Sequence, residues 1–196
     1  MKKYIYTVFL FSLFYLNTFA QVIINEVMYA PTSPNKEWFE IYNTGNSSIN
    51  LQNWKWRDAA GSNPIRTKTT QSILINPNTF AIVCEDSTNF RTAFPGVTGI
   101  LIQSIGWNAL NNTGSENVVL YYSTGQTSDS LTYTNSWGGS GGFSLERINP
   151  LANTNLQSNW GTSVDPNKAT PDRTNSLTPK LNDLILSSFT VTPSAP

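Results

Sequence analysis

The sequence predicts an all-β fold, a sandwich or barrel of about nine short strands, and three observations predict it. Short aromatic and β-branched runs alternate with a period of two. Pro, Gly and Asn punctuate them at sandwich spacing, and no convincing amphipathic helix interrupts them. The clearest run is residues 37–43, Glu-Trp-Phe-Glu-Ile-Tyr-Asn, where Phe39 and Ile41 face one way and Trp38, Glu40 and Tyr42 the other. Both sides carry large apolar surface, so this strand is expected at the centre of a sheet, covered on both faces. Asn43-Thr44-Gly45-Asn46 closes it with turn residues.

In chain order, residues 1–20 read as a cleavable signal peptide preceding the fold. Lys2 and Lys3 form a positive n-region, 4–16 is an apolar run, and Thr18-Phe19-Ala20 offers small residues where a signal peptidase reads. At about 1.5 Å per residue that run spans about 20 Å, short of the roughly 30 Å hydrocarbon core. No stable membrane span is therefore expected, and the chain from Gln21 onward is expected outside the cytoplasm: extracellular, at the cell surface or periplasmic.

Residues 22–29 alternate Ile24, Glu26 and Met28 against Ile23, Asn25, Val27 and Tyr29 as a first strand. Pro31 to Pro34 turns into the central strand. Residues 51–58 read as a strand with Trp54 and Trp56 on one face and the cations on the other. Strands at 72–75 and 79–85 flank Asn76-Pro77-Asn78, a tight turn signal. Those at 100–102, 118–122, 130–133 and 143–148 complete the set. Residues 88–94 allow a single helical turn with Phe90 and Phe94 four apart on one side. The domain is expected over 21–178. Residues 179–196 read as a linker and the first strand of a truncated following module, so further domains of the same polypeptide are expected if the chain continues.

The 196 residues carry 12 Lys+Arg and 12 Asp+Glu. Without Lys2 and Lys3 the balance is ten against twelve, a net charge near −2. No basic stripe remains to drive counterion release, so nucleic acid is not an expected partner. The single cysteine, Cys84, excludes an intrachain disulfide. Stability must then come from the core, for which a sandwich of this size is large enough.

Several segments, in order and in register, resemble the lamin tail domain in its secreted bacterial form. They are Ile23-Ile24-Asn25-Glu26-Val27-Met28-Tyr29, the central strand, Leu51 to Trp54, and 72–85 with its Asn-Pro-Asn turn. Leu110-Asn111-Asn112-Thr113-Gly114-Ser115-Glu116-Asn117 before a late strand, Phe143-Ser144-Leu145-Glu146-Arg147 and Trp160 to Pro166 follow. The resemblance implies an immunoglobulin-like β-sandwich without the inter-sheet disulfide of antibody domains. It also implies a core role for Trp54 and a retained asparagine at Asn43. It supplies no catalytic residues, and it implies an accessory module of a secreted or surface protein.

Histidine is absent, which excludes Ser-His-Asp and Cys-His sites and removes the usual nitrogen ligand of zinc. Cys84 lies in an apolar run and is expected to be a buried, inert thiol. Glu26, Glu37, Glu40 and Glu146 would form a glycosidase pair only if two faced each other across a cleft. Solvent exposure, or pairing with Arg57 or Arg147, is the expected state instead. Glu40 is the exception: in a central strand it needs an Arg partner or backbone donors. Asp165-Pro166-Asn167 through Asp172, and Asp86-Ser87-Thr88-Asn89, gather oxygen ligands that calcium favours, although neither has a calcium-loop spacing and Asx turns explain both. Gly138-Gly139-Ser140-Gly141-Gly142 lacks the Gly-Lys-Ser/Thr and following helix of a phosphate loop, and reads as a flexible turn.

No cofactor is expected. Six tryptophans leave one ligand surface to consider: Trp107, Trp137 and Trp160 lie beside glycines in loops and would stack sugars if exposed and coplanar. Folding back to plug the sandwich ends is the competing expectation. The leading function is a non-catalytic interaction or tethering module of a secreted or cell-surface bacterial protein, its partner an extracellular protein or polysaccharide. The alternative is a carbohydrate-binding module accessory to a secreted hydrolase.

Overall fold

The computed structural model of the protein describes residues 21–64 and 72–179. The expectations for 1–20 and for 180–196 lie outside the described residues. Among the described residues twelve strands form: β1 (Val22–Met28), β2 (Trp38–Asn43), β3 (Ile49–Asn50), β4 (Lys55–Arg57), β5 (Ser62–Pro64), β6 (Leu74–Ile75), β7 (Phe80–Cys84), β8 (Ile100–Gln103), β9 (Ser115–Tyr121), β10 (Thr127–Thr134), β11 (Leu145–Arg147) and β12 (Trp160–Thr162). The number exceeds nine because β3, β5 and β12 are two- or three-residue pairings whose sequences carry no period of their own.

Six strands make one sheet in the order β12-β11-β1-β2-β7-β8, four make a second in the order β10-β9-β4-β5, and β3 pairs with β6. β2 sits between β1 and β7, the inner position that its two-sided apolarity requires. All neighbours are antiparallel except β7 and β8, which run parallel and are joined through a helix. That helix, α1 (Ser87–Ala93), is where the Asp86-Ser87-Thr88-Asn89 run falls: Asp86 is its N-cap and accepts from the backbone N–H of Thr88 and Asn89. The capping explains why an oxygen-rich tetrapeptide starts a helix here.

The two large sheets enclose one apolar core. Val22, Ile24, Val27, Phe39, Ile41, Ala81 and Val83 meet Trp56, Val118, Leu120, Leu131 and Tyr133 from the four-stranded sheet. Phe39 lies edge-on to Trp56, with ring centroids 5.1 Å apart. Trp54 belongs to the same core but not to a strand: residues 51–54 form a turn in which the Trp54 N–H donates to the Leu51 carbonyl and Asn53 takes a positive φ of 64°. Asn43 is buried, donating to the carbonyls of Ser47 and Ile75 and accepting from Gly45 N–H, and so fixes the turn after β2.

The strict alternation expected along β1 fails at one place. A bulge shifts the pairing between Ile24 and Glu26, so Ile24, Val27 and Tyr29 all point into the core. Glu26 and Met28 then point to the outer face. One extra residue resets the side-chain period of two, and Asn25 is that residue.

Candidate functional site

The outer face of the six-stranded sheet is covered over its middle, while Tyr42, Phe80, Leu101 and Gln103 toward its margins are half-buried. Toward β7 it carries a second apolar cluster of Met28, Trp38, Ile82, Cys84, Phe90 and Ala169. Phe90 and Phe94, the four-apart pair of α1, both meet Trp38 edge-on, at 5.6 and 5.7 Å. Toward β11 the face carries glutamates. Register places Glu26 beside Glu146 on one side and Glu40 on the other, a row across three adjacent strands. Each of the three has 0% exposure. Residues 163–178 pass over them as a strap.

The three carboxyls receive hydrogen bonds mainly from that strap. Glu40 Oε2 accepts from Asp172 N–H at 2.6 Å, and Oε1 accepts from the Asn25 amide at 2.9 Å. Glu26 Oε1 accepts from Thr170 N–H at 2.8 Å and from the Ser144 hydroxyl at 2.5 Å. Glu146 Oε1 accepts from the Thr170 hydroxyl at 2.8 Å, and Oε2 accepts from the Ser176 hydroxyl at 2.7 Å and Leu177 N–H at 3.1 Å. Asn175 bridges the strap to the bulge: its amide donates to the carbonyls of Asn25 and Arg147, and its oxygen accepts from Asn25. Among the described residues no cation pairs with any of the three. Burial therefore pushes the Glu26 carboxyl up to about 8, with the Glu146 charge adding to the rise. Burial and the Glu26 charge push Glu40 well above the usual carboxylate range.

Glu37 does the same work elsewhere. It accepts from Leu110 N–H and the Trp107 indole N–H, both at 2.8 Å, and burial raises its carboxyl above the usual range. Glu116 accepts from Ala59 and Asn111 N–H groups, at 2.8 and 2.7 Å. Asp129 accepts from Ile24 N–H at 2.9 Å and the Thr154 hydroxyl at 2.6 Å, and pairs with buried Arg147 at 3.2 Å.

The glutamates thus correct one sequence expectation. Glu26, Glu37, Glu40 and Glu146 are all buried rather than solvent-facing. None pairs with arginine: Arg147 is held by Asp129, and the Arg57 Nε donates to the Tyr121 hydroxyl. A backbone donor for Glu40 is found in Asp172 N–H, joined by the Asn25 side-chain amide. Glu26, Glu40 and Glu146 share one covered face, so they do not flank a cleft.

The three tryptophans do not come together as a platform. Trp160 is 4% exposed, its indole donating to the Thr154 carbonyl and the Arg147 guanidinium lying 5.8 Å over its ring. Trp107 packs 4.6 Å from Trp56 and is tied to Glu37. Trp137 packs on the same core. Among the described residues no ring contact joins any two of them, and none stands free in solvent. For Trp107 and Trp160 the indole N–H explains the placement, because a covered one needs an acceptor and Glu37 and the Thr154 carbonyl supply it.

The remaining candidates resolve into local turn chemistry. Asp165 accepts from Asn167 N–H at 2.9 Å and pairs with Arg173 at 2.8 Å, while Asp172 accepts from Gly99 N–H at 2.9 Å. Among the described residues no group of three or more acidic or thiol side chains is arranged to hold a metal ion. Cys84 is buried, and burial raises its thiol to about 12. The glycine segment before β11 holds Gly138, Gly139, Gly141 and Gly142 at positive φ. A side chain at Gly139 would meet the Leu145 backbone, so that turn is a close packing contact. A cleft of about 550 Å³ opens between the end of α1 and the strap, lined among others by Phe94, Val97, Pro171 and Arg173. Among the described residues Asp172 is the only carboxylate on its wall, and it accepts from Gly99 N–H.

These features define an immunoglobulin-like β-sandwich whose loops are fastened by buried carboxyls. Residues 17–135 match the model of the Lamin Tail Domain, and the chain belongs to that family of non-enzymatic immunoglobulin-like domains. β11, β12 and the strap lie beyond the matched residues, yet complete the same sheet and its cover. A DUF4876 family protein from Bacteroides thetaiotaomicron, known from a crystal structure, is structurally similar at a TM-score of 0.41 and 10% identity. That alignment covers 85% of this chain and 73% of that one. No curated protein matches the chain. Among the described residues no helix is long and apolar enough to cross a membrane.

Proposed function

We propose that the protein is a non-catalytic interaction or tethering module, exported to act outside the cytoplasm or at the surface of a bacterial cell. One observation carries the reading. The buried carboxyls that would otherwise be candidates for acid–base work accept hydrogen bonds from loops of their own chain. A general acid or base must reach the proton that it moves in a substrate. These groups reach Thr170, Asp172, Leu177, Leu110 and Asn111 instead. Export rests on the charged, apolar and small-residue order of residues 1–20.

Two measurements test this. Fractionation of cells expressing the full chain should recover it outside the cytoplasm with Gln21 as its N-terminus; retention inside with Met1 intact would overturn export. Incubation with ester, phosphodiester and glycoside substrates should give no turnover above buffer. Turnover that Glu26→Gln or Glu37→Gln abolishes, in a protein that still folds, would overturn the non-catalytic reading.

A further inference from the structure

The glutamate row holds more hydrogen-bonding demand than its hydroxyl donors can meet with all three carboxyls ionised. The Thr170 hydroxyl has one hydrogen, yet its oxygen lies 2.8 Å from Glu146 Oε1, 3.3 Å from Glu26 Oε2 and 3.4 Å from Asn175 Oδ1. A hydroxyl donates once, and Asn175 Oδ1 can only accept. The two carboxyl contacts close if Glu26 Oε2 carries a proton and donates it to Thr170, whose hydroxyl then donates to Glu146, while Asn175 Oδ1 takes its hydrogen from the Asn25 amide. Ser144 completes the set by donating to Glu26 Oε1.

The surroundings offer no substitute for that proton. From β2 the facing group is Glu40, and from β11 it is Glu146. Arg147 is turned away, held by Asp129. The strap contributes Asp165 and Arg173, paired with each other, Asp172 on Gly99 N–H, and Lys168, whose ammonium lies 5.0 Å over the Phe143 ring. From β7 the nearest titratable group is the buried Cys84 thiol. Losing the proton would leave adjacent buried anions with no counter-charge, which a low-dielectric site strongly disfavours.

We propose that residues 163–178 form a pH-sensitive strap, closed over the six-stranded sheet by the proton that Glu26 donates to the Thr170 hydroxyl beside Glu40 and Glu146, and loosened when that proton leaves. Opening the strap hydrates the row and exposes Thr170, Asp172, Asn175 and the outer face of β1 and β11. The sandwich core is on the opposite face of the sheet and stays packed. The direction follows from the raised Glu26 and Glu40 carboxyls. Closed-state stability from a raised group is fully present below the hydrated carboxyl's usual value of about 4.3 and is lost progressively as pH rises toward the closed-state value. For Glu26 that upper limit is about 8. The device is thus shut in mildly acidic surroundings and loosest in alkaline ones.

Hydrogen–deuterium exchange of the full chain between pH 5 and 9, corrected for intrinsic exchange, tests this. Protection of peptides covering 164–178 should fall by at least roughly tenfold per pH unit as the pH rises toward about 8, since opening releases one or more protons. Peptides from β2 and β7 should keep their protection over the same range. Glu26→Gln supplies a neutral amide in place of the carboxyl and should flatten the strap's dependence; adding Glu40→Gln should flatten it further. If these variants fail to fold, the wild-type profile still decides. Strap protection that is constant with pH, or that falls in step with β2, overturns the proposal, as does an unchanged dependence in a folded Glu26→Gln protein.

Discussion

The middles of both faces of the six-stranded sheet are buried, but by different chemistry. On the inner face Phe39 and Ile41 of β2 meet the apolar side of the second sheet, with Trp56, Leu120 and Leu131 among their neighbours in the core. On the outer face Glu40, on the same strand, accepts from Asp172 N–H of the strap and from the Asn25 amide of neighbouring β1. Apolar burial is non-directional and summed over many contacts, so the inner face tolerates small shifts. Carboxyl–amide bonds are directional and few, so the outer face is specific but responsive to protonation. One strand therefore belongs both to the most robust and to the most conditional part of the molecule.

Truncation on each face should separate the two. Phe39→Ala should have the largest effect, about 3–5 kcal/mol of stability, from lost transfer energy and an unfilled cavity. Thermal and urea melts measure it, and a change no larger than that of exposed Lys55→Ala would show that the core is elsewhere. Glu40→Ala should cost less, about 1–3 kcal/mol, because it leaves the Asp172 N–H and the Asn25 amide short of an acceptor. Its loss should appear first as faster proteolysis within 163–178. If the sandwich melts as much as in Phe39→Ala, the two faces are not energetically distinct.

How much of this contrast was legible in the chain depends on how local its causes are. The inner face was: the period of two in residues 37–43 assigns Phe39 and Ile41 to one side, and both are fully buried in the core. Glu40 could be singled out because its own strand is apolar on both sides. Glu26 and Glu146 could not, since an alternating strand with outward glutamates looks like any half-exposed strand. Their cover arrives from 144 and 24 residues further along, at Thr170. The bulge at Asn25 was equally hidden, because it changes which residues face inward without changing composition. Trp107, Trp137 and Trp160 were ambiguous for a related reason. Exposure of a loop tryptophan depends on where its indole N–H finds an acceptor, here Glu37 for Trp107 and the Thr154 carbonyl for Trp160.

Smaller effects sharpen the boundary of the outer cover. Asp86→Ala removes the N-cap that starts α1 and should cost about 1 kcal/mol. Loosening should centre on the Phe90–Trp38 contact, visible as a change in tryptophan fluorescence. Identical emission and melting would mean that the helix is held by Phe90 and Phe94 alone. Lys36→Ala breaks the exposed pair with Glu85, 3.2 Å apart, and should change stability by less than about 1 kcal/mol. A larger loss would place Lys36 in the cover rather than on its rim.

The central claim is that buried carboxyls, rather than apolar packing alone, hold 163–178 against the sheet. Residue-resolved amide exchange by NMR at pH 6 tests it most directly, at the N–H groups of Thr170, Asp172 and Leu177. Each donates to a row carboxyl and sits in a segment without strand or helix pairing of its own. All three should exchange far more slowly than the amides of exposed Arg173 and Thr174, though faster than Ile41 in β2. Exchange at loop rates would contradict the claim and leave the strap a surface loop.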